Sequence, residues 1–530
     1  TRQGSNEWID ALRPQESRDE GLNRCLDKTS TIVLNNEELS RKEREDLFEV
    51  AYKSFTEPPG SPPPNGMLNQ LNDPMYSQPL LVTVDAFLNA RPLPNSRTSC
   101  SPSELFEEVL LHEEHYWVEH WPQSLTVNTD RERQTDGAAT PIDAQDEKRR
   151  SLNRELARQA VAAATLADIQ DEEDAISLLR LLPATPDKNT EDLAKWLRDC
   201  YPPHTNGNGH STLWCENLEP DRIGEHLIVS EADDLVPLLQ ELLSPSRVGT
   251  SSLRTWTVLE RTSTDPRLNK HVGRILNDVL LEVTQAVHAE TVNSQSPDLA
   301  AGFAKLVNAV RPHIDPNKAH EAQQTLSDSG YFTALLEYEL AQRSANILPP
   351  TDDSSEIDRA TYASRRLSLS RCLANIGRHD EALKAVREAT KLYRTLAEHN
   401  PGTYTPNLAS SLNNLAGSQA ENGQPHDALQ TVHEATNLYR TLAEHNPGTY
   451  TPDLASSLNN LAIYLDRNGQ PHKALQTAQE ATNLYRTLAK HNPAAYTPNL
   501  AKSLNNLAIH LDGNGQPHKA LQTAQEATNL

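Results

Sequence analysis

From about Thr361 to the last residue, apolar positions follow two superimposed periods. Leu408, Leu412, Leu415 and Ala416 fall at helical spacing, with Pro406 before them and Asn422-Gly423 after. That pattern predicts a helix from Asn407 to Glu421. A second stripe, Ala428, Leu429, Val432, Ala435, Leu438, Tyr439 and Leu442, predicts a partner helix opened by Pro425 and broken by His445-Asn446-Pro447-Gly448. The longer period is 46 residues. Gly377, Gly423, Gly469 and Gly515 share its register, as do Tyr393, Tyr439 and Tyr485. The block Ser411 to Ala416 returns as Ser457 to Ala462 and as Ser503 to Ala508. Helix pairs at a fixed period predict an α-solenoid, in which each repeat buries its apolar face only against its neighbours.

The first repeat is the weakest, with Arg366 where the second has Leu412, yet it keeps Gly377, Ala382, Ala389 and Tyr393. In the fourth, the stripe Ala520, Leu521, Ala524 and Ala527 has no following helix to cover it. The chain also begins without Met, so it reads as a fragment open at both ends. Ahead of the repeats, helical patterns at Ser40 to Phe55, Ser103 to Trp121, Leu152 to Leu166 and Glu191 to Tyr201 alternate with Pro-rich or polar breaks. From Leu235 to Gln342 helices continue without a clean period, as in a degenerate solenoid.

Charge and cysteine content narrow the function classes. A net charge of −24 argues against a nucleic-acid surface spread over the whole protein. No apolar run approaches the roughly 20 residues that span a bilayer, and the first residues lack a signal-peptide pattern. Five scattered cysteines without a CxxC pair fit a reducing cytoplasm, which is the expected location. No GxSxG or other nucleophile motif is present, so no catalytic residue is assigned.

Leu412, Leu415-Ala416, Gly423, Ala428 and Ala435 stand at the spacing of the tetratricopeptide consensus, and the repeat resembles the long repeats of kinesin light chains and of many bacterial regulators. It exceeds the usual length of about 34 residues, with most of the excess expected in the second helix and in the Asn-Pro-x-x-Tyr-Thr-Pro connection. The resemblance implies that the first helix of each repeat lines a groove for a protein or peptide partner. Asn413, Asn414, Asn459, Asn460, Asn505 and Asn506 would then recur as rungs, their amides suited to a peptide backbone; bonding between neighbouring helices is the alternative. The repeats differ most at the end of the first helix, where Gly417 to Glu421 becomes Ile463 to Arg467 and Ile509 to Gly513. Tyr464, Arg467 and His510 are therefore candidates for ligand choice, against simple drift at an exposed end.

Residues 1–260 resemble, phrase by phrase, the STAND signalling ATPases, whose NB-ARC- or NACHT-like motor is followed by a winged helix and repeats. Thr1-Arg2 before Trp8 looks like the end of the sensor strand, and Pro79-Leu80-Leu81 like the lid. His112 to Trp117 looks like the entry to the winged helix, and Trp196 to Pro202 with Leu218 to Leu227 like the section after it. The resemblance implies that Arg2 and Pro79 lie near a nucleotide. Yet the chain has no GxxxxGK[ST], so ATP and Mg²⁺ would belong to a parent protein, and this chain alone should not hydrolyse ATP. The expected architecture is mainly α. Residues 1–38 would close a truncated α/β P-loop domain, 39–95 form a helical lid, 96–245 a winged-helix-like region, 246–350 a degenerate solenoid, and 361–530 four repeats. The function so implied is the sensor and regulatory region of a STAND-type ATPase, whose motor would oligomerise. The alternatives are an adaptor without a motor and a winged-helix transcription regulator. The second needs a basic recognition helix, whereas Glu191 to Tyr201 is mixed in charge.

Three metal-like patterns are set aside. Cys200, His204, His210 and Cys215 have four zinc-type ligands at a spacing no standard module uses. His112-Glu113-Glu114-His115 lacks the i,i+4 histidine pair of HExxH and reads as a solvated helix face. The acidic run Asp171 to Asp174 lacks calcium-loop spacing and reads as a helix start.

Overall fold

A computed structural model describes residues 39–56, 62–64, 67–90, 92, 101–125, 142–183, 185, 189–203, 213–215, 218, 221–249, 251–326, 330–351 and 353–530. Among them are twenty-one α-helices and no strand. The chain divides into two bodies. One comprises Thr1–Glu290 with Lys305–His313, and the other Thr291–Ala304 with Ile314–Leu530. Expected features around Arg2 and the 1–38 remnant lie outside the described residues.

The first body contains α1 (Arg41–Phe55), α2 (Pro79–Ala90), α3 (Pro102–Glu119), α4 (Ile142–Leu166), α5 (Glu172–Leu179), α6 (Thr190–Cys200), α7 (Asp221–Ser230), α8 (Val236–Leu242) and α9 (Ser252–Thr262). The long α10 (Pro266–Ser294) and α11 (Asp298–Ala309) follow. Local chemistry sets the helix starts. Ser40 and Glu43 form a reciprocal capping box on α1, and Asp171 accepts from the Asp174 amide to cap α5. The acidic run is thus a helix start. Within 96–245 the described residues form helices and no strand, so the β-wing of a winged helix is not seen among them.

The HEEH face of α3 is not simply solvated, which corrects the sequence reading. His115 and His120 are exposed, but Glu114 is buried and the His112 ring lies 5.0 Å from Phe87. Arg158 on α4 explains the burial. Its Nη1 donates to Glu114 (2.8 Å) and Glu107 (3.3 Å), its Nε to Glu231 (2.7 Å) and its Nη2 to the Ser230 hydroxyl (2.8 Å). One planar guanidinium with five N–H donors thereby ties α3 and α4 to the α7–α8 turn. Beside it the Trp117 indole, fully buried, donates to the Tyr201 hydroxyl at 2.9 Å. Helical spacing cannot show this, because these partners lie 44 to 84 residues apart.

The second body carries α12 (Pro316–Gln324) and α13 (Ala334–Ala345), and then four helix pairs. These are α14 (Glu356–Asn375) with α15 (His379–His399), α16 (Pro401–Glu421) with α17 (Pro425–His445), α18 (Pro447–Arg467) with α19 (Pro471–His491), and α20 (Pro493–Gly513) with α21 (Pro517–Thr528). Tyr338, Ala341 and Ala345 of α13 pack on Leu369, Cys372 and Leu373 of α14, closing the front of the array. Burial pushes the Cys372 thiol up to about 12, so it is an inert core group.

The expected connection between repeats is a correction. Asn-Pro-x-x-Tyr-Thr-Pro is not a loop; the first helix of the next repeat starts at its proline, and only Asn400, Asn446 or Asn492 separates successive repeats. The extra length is therefore helix. Pro406, Pro452 and Pro498 stand inside these helices, one turn after the first. A proline there removes one backbone donor, and the hydroxyls of Thr451 and Thr497 donate to the Pro447 and Pro493 carbonyls at 2.6 Å in the same turn. At the other end the repeating glycine is required. Gly423, Gly469 and Gly515 have φ of 71°, 72° and 73°, and the following Gln amide bonds back to the helix, as Gln424 does to the Gln419 carbonyl at 2.9 Å.

Candidate functional site

The inner face of the solenoid follows from which helices are bridged by short side chains. Neighbouring first helices are joined by Ser457 Oγ donating to Asn413 Oδ1 and Ser503 Oγ to Asn459 Oδ1, each at 3.1 Å. The ion pairs between second helices are long reaches, Arg394–Glu434 (2.7 Å), Arg440–Glu480 (2.8 Å) and Arg486–Glu526 (2.8 Å). A serine–asparagine pair spans far less than an arginine–glutamate pair. The first helices are thus closer together, and the array curves with them on the concave side.

This geometry separates the two asparagines of each pair. Asn413 and Asn459 are half-buried and spend their carbonyl oxygens on the next repeat, which is the helix-bonding role. Asn505 is the last of its series and is exposed. Asn414, Asn460 and Asn506 are exposed or half-buried, and among the described residues no hydrogen bond to their amides is found. They form one row across the concave face at a constant register. A further set was not anticipated: Asn422, Asn468 and Asn514 donate to the His379, Pro425 and Pro471 carbonyls of the preceding repeat at 3.0 Å. Sequence periodicity shows that these asparagines recur but not which neighbour they face.

The variable helix ends divide similarly. Arg467 is exposed, with its guanidinium carbon 5.9 Å from the Tyr464 ring centre. Tyr464 (9% exposed) and His510 (5%) are buried at the seam with the preceding repeat, so the variation at their position is not drift at an exposed end. The four repeats place Cys372, Ser418, Tyr464 and His510 there, all buried. Tyr464 fits because Gly417 stands opposite: a Cβ at Gly417 would have the Tyr464 hydroxyl at 3.8 Å and nothing else within 4 Å. The tyrosines of the second helices are also structural. Tyr439 and Tyr485 are buried with their hydroxyls near the first helices, and burial lifts their pKa.

His510 gives the solenoid a pH dependence. Its Nδ1 is buried without a partner, and burial lowers its pKa, against a smaller opposing pull from Asp466. The folded state therefore binds a proton less readily than the unfolded chain, whose histidine titrates near 6.5. Stability from this group is complete above about pH 6.5 and declines as pH falls below it. Urea unfolding of the wild type should lose stability between pH 7 and pH 5, and His510→Ser, the residue of the second repeat, should lose less.

Other candidates are placed plainly. Pro79 is the first residue of α2. Cys200 is half-buried, with its thiol pushed up to about 12 by burial and by Asp199, and Cys215 is buried; His204 and His210 lie outside the described residues. On α6 the Arg198 guanidinium sits 4.0 Å from the Trp214 ring centre, occupied by a cation–π contact. No helix among the described residues is long and apolar enough to cross a membrane.

Comparison with known proteins agrees with the repeat geometry. Residues 454–493 match the tetratricopeptide repeat. The fold is thus a mainly helical, tetratricopeptide-like solenoid, a protein-interaction architecture. No curated protein matches the chain. Among solved structures, one described as a kinesin light chain of nearly identical TPR-like repeats from Podosopora anserina is 18% identical, covering 40% of this chain and 92% of that one, with a TM-score of 0.31. BtubC from P. vanneervenii is 18% identical over 51% of this chain and 90% of its own, with a TM-score of 0.30. A signal transduction ATPase with numerous domains and a tetratricopeptide repeat sensor, from Pyrococcus horikoshii, is 12% identical over 93% of this chain and 72% of its own, with a TM-score of 0.31.

Proposed function

We propose that the concave face of the tetratricopeptide-like array holds an extended segment of a protein partner, and that the chain is the sensing and regulatory region of a STAND-type signalling ATPase. The observation that carries the first part is the row of unspent carboxamides at Asn414, Asn460 and Asn506. Each offers two donors and an acceptor at the same register, which is what the alternating amide and carbonyl groups of an extended backbone require. A partner that binds this face with different affinity in two states of the parent protein would shift the balance between them. Support for the second part is the order of lid-like and winged-helix-like phrases between residues 1 and 260. An adaptor without a motor is the competing reading, and the reading frame preceding Thr1 separates them. A GxxxxGK[ST] loop followed by an acidic strand supports the ATPase, and a start codon close to Thr1 supports the adaptor.

The groove is tested with peptides selected from a displayed random library on the immobilised full chain. Replacing Asn414, Asn460 and Asn506 together by alanine removes three sets of hydrogen bonds, each worth about 1 kcal/mol net. Peptide affinity should fall by roughly a hundredfold while the thermal unfolding of the chain stays near that of wild type. Unchanged affinity would show that the peptides bind elsewhere.

A further inference from the structure

Two further rows cross the concave face beside Asn414, Asn460 and Asn506. One turn before them stand Ser364, Ser410, Ser456 and Lys502, all exposed or half-buried at 46-residue intervals. A turn earlier come Thr361, Asn407, Asp453 and Asn499, all exposed. With Ser368 ahead of Asn414 in the third row, every position is serine, threonine or asparagine except Asp453 and Lys502. This part of the face is neutral but for one carboxylate on α18 and one ammonium on α20. Both residues are exposed, and neither forms an ion pair among the described residues.

Asp453 departs from its row in its contacts as well as in its charge. On one side of it Asn407, with Ser364, hydrogen-bonds the Tyr393 hydroxyl; on the other Asn499, with Ser456, hydrogen-bonds that of Tyr485. At the junction between them Ser410 still bonds the Tyr439 hydroxyl, but Asp453 meets that hydroxyl only as a nearby negative charge. Packing around the carboxyl lifts it above the usual carboxylate range, and no donor or cation offsets this. The groups facing it are the Tyr439 and Tyr485 hydroxyls of α17 and α19, and α16 carries no Lys or Arg at all. Nor does the dipole of α18 compensate, since its effect is confined to the first turn and Asp453 is the seventh residue. Asparagine would suit the fold better here, as it does on both sides. The chain thus sets a carboxylate in the groove and gives it nothing to hold.

Spacing relates the two charges. Packed helices stand about 8–10 Å apart, and α18 and α20 touch directly through the Ser503–Asn459 bond. Asp453 and Lys502 differ in register by three residues, about 4.5 Å along a helix axis. Their backbones are therefore roughly 10 Å apart, the length of about three residues of extended chain.

We infer that Asp453 and Lys502 select the ligand of the groove, an extended peptide with a basic and an acidic side chain about three residues apart, the first on Asp453 and the second on Lys502. The inference rests on the groove reading above and names the side-chain chemistry of its ligand. The asparagine row reads the backbone, and the two charges read the sequence.

The peptides selected on the full chain test this directly. Aligned, they should share Lys or Arg and Asp or Glu two to four positions apart. Asp453→Asn and Lys502→Ser restore the residues that neighbouring repeats carry, so thermal unfolding should be no lower than in wild type. Each should weaken peptide binding by roughly fivefold, and the affinity of the wild type should fall as salt is added. The exchange variant, Asp453→Lys with Lys502→Asp, should lose the selected peptides and recover those in which the two charges are interchanged. Peptides that depend on Asn414, Asn460 and Asn506 but lack the charged pair would overturn the inference and leave the groove standing. So would peptides that bind Asp453→Asn and Lys502→Ser as tightly as wild type, or an exchange variant that does not follow the interchange. Failure to select any peptide, or selection of peptides indifferent to the asparagines, would overturn both.

Discussion

Arg158→Ala is expected to destabilise the first body by about 3–5 kcal/mol, the usual cost of removing one member of a buried ionic cluster. The side chain is 13% exposed, and its partners Glu114 and Glu231 are 6% and 10% exposed. Alanine leaves both carboxylates in a poorly solvated seam with no fork of donors between them. Burial already lifts the Glu231 carboxyl above its usual range, with Arg158 as the main opposing influence. Without the guanidinium that carboxyl rises further, so the deficit should be largest near neutral pH and shrink toward acid pH as a proton replaces the lost charge. Arg158→Lys keeps the charge but cannot reach three carboxylates and a hydroxyl at once, and should fall between the two. Urea unfolding, with hydrogen exchange to assign the transition to α3, α4 and α7, measures each effect. A loss below 1 kcal/mol for the alanine variant would show that the cluster is solvated and weak.

Tyr439→Ala should have a comparable local cost, about 3–5 kcal/mol, because it empties the centre of a repeat junction. The ring is 5% exposed and packs with Ala409, Ala443, Leu454, Leu458 and Ala481, residues drawn from both helices of repeats two and three. In a solenoid, stability is a sum of repeat terms and nearest-neighbour interfaces. Damage to one junction should therefore divide the array instead of weakening it evenly. Denaturation of the variant should resolve into two transitions, with amides of α18 to α21 exchanging before those of α14 and α15. Tyr439→Phe removes only the hydroxyl, which bonds toward Ser410, and should cost about 1 kcal/mol without splitting the transition. A single cooperative transition in the alanine variant would mean that the repeats are coupled by more than this contact.

The parts of this fold legible in the sequence are those determined by local rules. Gly423 and its counterparts ended the first helices because their backbone needs positive φ, and the Leu and Ala stripes gave the pairing of helices. The prolines misled. Pro406 and Pro452 read as helix boundaries, yet they lie in the second turn, where Gly402 and Gly448, whose carbonyls lose a donor, are exposed to solvent. Contacts between repeats were hidden for a different reason. Tyr464 meets a residue 47 positions earlier and Asn413 one 44 positions later, so a comparison in steps of 46 aligns equivalent residues and not touching ones. The Arg158 cluster was equally invisible, since charge patterning along one helix cannot report partners on three others.

The meeting of Tyr464 with Gly417 also limits how such a gene can change in length. Near-identical tandem copies invite recombination that gains or loses whole copies, and most junctions here would tolerate it because their buried Thr–Ser and alanine contacts are shared. Loss of the third copy would set His510 against Gly417, a smaller ring in an existing space. Duplication of the third copy would instead press a tyrosine onto Ile463, where no notch exists. Copy order in this array is therefore constrained by shape at a single seam, and shortened alleles should be recovered more readily than lengthened ones that repeat the third copy.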